Sequence, residues 1–246
     1  MRMKRLQPCK LLFAALIAGI GCTIFMTSSF AGRLNESGIQ PMDLYWLYFG
    51  IIPRDWKIPF NVLLYIFALI PMTLISYFVS NDIQTNLIET KYTVVIRYQS
   101  IRRWMISGCQ TAIATTVFFL LIFHISFLAM NHMICAKYID SVPSIFSAGQ
   151  TGSVLVLIAK QMFFVSALSI VQIIVALRHN IQTGLLVELC VGGTIVFLDL
   201  LQITTNKHFG ADAGIMSLIY DIVIFILALA FMLLLSSNKT SEKYLG

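Results

Sequence analysis

Apolar and polar positions along this chain fall into long blocks with neither the two-residue alternation of half-buried strands nor a narrow helical stripe. Six apolar runs cover about residues 11–30, 59–80, 104–130, 153–177, 184–203 and 215–236. Each reaches the roughly 20 residues that an α-helix needs to cross a hydrocarbon layer about 30 Å thick. Lipid offers backbone groups no hydrogen-bond partner, so such runs must be helical. The pattern predicts an all-α polytopic membrane bundle of six transmembrane helices, a single domain over residues 1–246. No connecting segment exceeds about 30 residues, too few for a separate soluble domain.

The first run follows a basic leader, Arg2, Lys4, Arg5 and Lys10. A cleaved signal peptide shares that layout, with a weak cleavage site near Ala31-Gly32, but the run is longer than a usual signal core and reads as a retained span. Ala15, Gly19 and Thr23 recur every four residues, a small-residue face that admits close helix contact. Between the first two runs, Tyr45, Trp46, Tyr48, Phe49 and Trp56 form an aromatic group. Tyr and Trp suit the headgroup layer, which predicts a short interfacial helix over 41–52; an aromatic ligand patch is the alternative. Pro71 removes a backbone donor inside the second run and should kink it, provided a neighbour serves the freed carbonyl.

Composition agrees with lipid as the solvent: 58% of residues are hydrophobic, 11% charged, and the mean hydropathy is +0.84. Soluble domains carry about 25% charged residues. The net charge of +6 could suggest nucleic acid, but the location of the charges explains it otherwise. With the N-terminus inside, inner segments hold 11 Lys and Arg and outer segments five, with Lys160 inside a run. This bias places both termini in the cytoplasm of a multi-pass plasma-membrane protein and leaves no role for nucleic acid. The five cysteines are odd in number and lack a Cys-x-x-Cys, so neither a disulfide framework nor a zinc site is readable.

The polar segment 81–104, between the second and third runs, mixes charge with apolar residues and forms a cytoplasmic handle. From its residues alone it is a juxtamembrane anchor, with arginines on acidic lipid headgroups and Trp104 fixing depth. Glu89-x-Lys91-Tyr92, then Ile96-Arg97-Tyr98-x-Ser100-x-Arg102-x-Trp104, with Trp56-Lys57-Ile58-Pro59-Phe60 entering the second run, also resembles small permease subunits of type-two ABC exporters. These serve bacteriocin and peptide export in bacteria. The resemblance covers the whole chain in length and span count, and about 25 positions residue by residue. It implies that the 81–104 segment is a coupling helix docked on an ATP-hydrolysing subunit. Glu89, Lys91, Arg97, Ser100, Arg102 and Arg103 would then be docking residues and Trp104 an interfacial pivot. The chain departs from the family in having only ten residues before the first span and a short loop between the last two. It contains no phosphate-binding loop, so the resemblance places ATP and its magnesium in a partner subunit and calls for a second permease half, identical or related.

Ionisable residues inside spans are costly and mark candidate functional positions. Lys160, Glu188, Asp199 and Asp221 are the set here. Lys160 can snorkel to the outer face or turn into a polar cavity. Paired with Asp199 or Asp221 it would either lock the bundle or line a pathway. Glu188, near the inner end of the fifth run, reads as interfacial. His124 is the only deep histidine, too few for a haem between spans, and no metal site or catalytic set is visible. A non-enzymatic exporter permease is therefore the leading expectation. A toxin-binding self-immunity protein without transport activity is the alternative, and an intramembrane enzyme ranks last.

Overall fold

The computed structural model describes residues 8–34, 41–49, 62–84, 101–138, 148–200 and 215–237. Among these the chain is helical apart from Phe49 and the break at His179-Asn180, with no strand. The helices are α1 (Pro8–Leu34), α2 (Pro41–Tyr48), α3 (Val62–Asp82), α4 (Ile101–Tyr138), α5 (Ala148–Arg178), α6 (Ile181–Leu200) and α7 (Ile215–Ser237). Five of them, α1, α4, α5, α6 and α7, are long and apolar enough to cross a membrane. The described part of α3, which ends on Ser80, Asn81 and Asp82, is not among those five. Several helices outrun their apolar runs, α4 most of all. Intrahelical hydrogen bonds need no lipid to persist, so a helix can continue into polar flanks.

Burial departs from that of a soluble protein at the exterior and at several enclosed polar groups. Large apolar side chains such as Phe13, Ile17, Ile125, Leu155, Leu186, Leu227 and Leu234 lie on the outside. Lys160, Gln161, Gln172, His124, Glu188 and Asp221 lie inside. A soluble fold would leave that apolar exterior in contact with water, whereas lipid solvates it.

α5 is the central helix. It packs on α3, α4, α6 and α7, and residues 164–170 are buried all round. Asn180 separates α5 from α6 and caps α6: its Oδ1 accepts from Thr183 N at 2.7 Å and from the Thr183 hydroxyl at 2.8 Å. Gly184 lets the two helices close, since a Cβ there would stand 2.8 Å from the carbonyl oxygen of Gln172.

α1 packs chiefly on α4. The small-residue face is the contact: Ala15, Gly19 and Thr23 are buried. A Cβ on Gly19 would collide with the Ser126 hydroxyl and lie 2.8 Å from the Phe123 carbonyl. The Thr23 hydroxyl lies 2.9 Å from the Gly19 carbonyl and 3.2 Å from that of Phe127 across the interface. Gly19 with Phe123 and Thr23 with Phe127 put α1 and α4 in the same direction. Gly192 meeting Met72 while Gly193 meets Tyr65 sets α6 against α3, and Gly184 and Gly192 meeting Gln172 and Leu168 set it against α5.

Candidate functional site

α2 does not lie on the surface of the bundle. Leu44, Tyr45, Leu47, Tyr48 and Phe49 are all enclosed, and Asp43 and Trp46 keep partial exposure. The aromatics expected on the surface of the bundle are thus enclosed at Tyr45, Tyr48 and Phe49, while Trp56 and residues 50–52 of the expected helix lie outside the described residues. The helix is folded inward, and Tyr45, Tyr48 and Phe49 form one aromatic cluster with Phe123 and Phe127 of α4. Tyr48 and Phe49 meet edge to face at 4.8 Å, and Tyr45 and Phe127 at 5.5 Å. Such edge contacts add to the area already buried.

Both phenols are matched to polar groups. The Tyr48 hydroxyl donates to the carbonyl of Phe67 at 2.8 Å. That carbonyl lies four residues before Pro71, so it is the one that proline deprives of its helical donor. The Cys22 sulfur is 3.4 Å from the same hydroxyl. The Tyr45 hydroxyl is 2.8 Å from Nδ1 of His124, and His124 Nε2 is 2.8 Å from Oε1 of Gln161. Tyr45 donating to Nδ1 and Nε2–H donating to Gln161 satisfies all three groups. Burial pushes both phenols well above their usual range, which keeps them as donors.

A second polar seam joins α3, α5 and α6. The Gln172 amide donates to the Ser76 carbonyl at 3.0 Å and to the Ser80 hydroxyl at 2.6 Å. The Ser76 hydroxyl donates back to Met72 O at 2.8 Å. The Glu188 carboxylate faces Ser76 from α6. It is 1% exposed and enclosed by helices. Its two oxygens and Gln172 Oε1 are buried with no hydrogen-bond partner.

The other predicted intramembrane charges are also enclosed. Lys160 is fully buried and engaged in a polar interaction, so it does not snorkel outward. Asp199 and Asp221 are buried and likewise engaged. Lys160 and Asp221 belong to α5 and α7, which pack directly on one another.

Of the predicted handle, Arg102 and Arg103 are exposed in the first turn of α4, and Trp104 continues that turn. Glu89, Lys91, Arg97 and Ser100 lie outside the described residues. Sequence reasoning singled out charges and passed over the amides and hydroxyls that meet them. A signal was present: Gln161 and Gln172 are 11 residues apart, three helical turns, and so share one face of α5. Among the described residues, no three His, Cys, Asp or Glu side chains come together as a metal site. No protein-family model, curated protein or solved structure matches the chain.

Proposed function

We propose that this chain is the permease subunit of a bacterial ABC exporter for a peptide, bacteriocin or other amphipathic compound. It would be driven by a separate ATPase docked on the 81–104 segment and paired with a second permease half in the plasma membrane. The observation that carries the reading is the sequence of that segment, Glu89 to Trp104, which resembles the coupling region of small type-two exporter permeases. Its last turn is the first turn of α4, where Arg102 and Arg103 are exposed.

Six crossings with both termini in the cytoplasm belong to the same proposal. α1 and α4 run in the same direction, so a chain that crosses with both must return between them, and α3 is the helix in that position. The enclosed Lys160, Glu188, Asp199 and Asp221 support a bundle whose inter-helix contacts are polar and rearrangeable, as a gated pathway requires. A toxin-binding self-immunity protein, the alternative, would need an exposed aromatic patch, and of that group Tyr45, Tyr48 and Phe49 are enclosed.

The test is a detergent pull-down from native membranes, comparing wild type with Arg97→Glu/Arg102→Glu. A P-loop ATPase is expected with the wild type and should be lost from the well-expressed variant. Intact wild-type protein that brings down no ATPase would defeat the transport reading.

A further inference from the structure

We propose that Glu188 is a proton-carrying site at the junction of α3, α5 and α6, holding an exchangeable proton shared with the acceptor oxygens of Gln172 and Ser76. The inference rests on hydrogen-bond supply in this cluster and is independent of the transport reading.

Hydrogens are what the cluster lacks. The Ser76 hydroxyl hydrogen goes to Met72 O, and the Gln172 amide serves Ser76 O and Ser80 Oγ. The three unpartnered atoms left, both Glu188 oxygens and Gln172 Oε1, are all acceptors when Glu188 is ionised. Turning the Gln172 amide around would set its oxygen about 3.0 Å from Ser76 O, two acceptors face to face. A single proton on Glu188 converts one acceptor into a donor and removes the uncompensated charge from an enclosed site.

Charged groups elsewhere are too remote to replace it. On α3, Asp82 follows Ser76 by six residues, a rise of about 9 Å, and Tyr65 and Tyr77 point respectively to Gly193 and to the exterior. On α5, Lys160 is 12 residues from Gln172, about 18 Å along the axis, and Arg178 is exposed at the helix end. On α6 itself, Asp199 is 11 residues on, about 16 Å away, and Cys190 faces outward. Among the described residues, then, no base stands beside the carboxylate.

The experiment is infrared difference spectroscopy on the full chain in lipid nanodiscs, titrated from mildly acid to alkaline pH. Wild type should show the carbonyl stretch of a protonated carboxylic acid at neutral pH. The band should be absent in Glu188→Gln, fade as the pH rises, and be unchanged when sodium or potassium is added at fixed pH. Ser76→Ala keeps the carboxyl group while removing the hydroxyl it faces, so it should shift the band without abolishing it. A neutral-pH spectrum with no such band would overturn the proposal. So would loss of the band on adding sodium or potassium, which would make this a metal-ion site. A band unmoved by Ser76→Ala would place the acid elsewhere and overturn the proposal as well.

Discussion

Tyr48 and Pro71 act as one unit. Proline leaves the Phe67 carbonyl without its helical partner, and a phenol from another helix supplies the missing hydrogen at 2.8 Å. Tyr48→Phe keeps the ring and its aromatic neighbours but orphans that carbonyl. Thermal unfolding in detergent should show a loss of about 1 kcal/mol, the scale of an inter-helix hydrogen bond whose buried acceptor goes unserved. Pro71→Ala restores the backbone N–H, so the same Tyr48→Phe change should cost clearly less in that background. Equal costs in both backgrounds would mean that the hydroxyl does not substitute for the amide. The need for such a substitute was legible at Pro71, because the missing donor follows from the residue type. Its source was not. Tyr48 is 19 residues from Phe67, and likewise His124 is 37 from Gln161 and Ser76 is 96 from Gln172. Approaches of that kind depend on how helices pack, which no local pattern encodes.

Among the helices, the glycines of α1 offer an internally controlled comparison. A Cβ at Gly19 meets Ser126 and the backbone of α4, whereas one at Gly21 meets nothing within 4 Å. Gly19→Leu should weaken the α1–α4 pair by about 1–3 kcal/mol, the usual range for overpacking against atoms that cannot retreat. Gly21→Leu should be neutral or slightly stabilising, since glycine in a helix interior costs about 1 kcal/mol relative to a good helix former. Denaturation of the two variants side by side reads the difference, and similar losses would place α1 differently against α4. The runs of apolar residues located α1, α4, α5, α6 and α7 well, because lipid-length hydrophobicity is a strong and local signal. α2 was foreseen as a short helix, but its aromatic rings were expected at the surface and three of them are enclosed. Tyr and Trp satisfy an interface and a hydrogen-bonded interior equally, so residue type alone cannot separate the two.

For the molecule as a whole, the parity of crossings is decisive. Six spans return the C-terminus to the side where the chain began, and five would not. Cysteine-free protein carrying Gln7→Cys or Ser241→Cys should resist a membrane-impermeant maleimide in intact spheroplasts and react after lysis at both positions. Labelling of only one of them from outside would mean an odd number of crossings and overturn the six-span topology. The buried α2 also bears on how the protein is made. Residues 41–49 leave the ribosome before α3 and α4 exist, yet those later helices supply the carbonyl for Tyr48 and the imidazole for Tyr45. During synthesis, then, the aromatic segment has to wait without its final partners. The headgroup layer is where Tyr and Trp can wait at little cost. The enclosed cluster can therefore close only after α3 and α4 have been made.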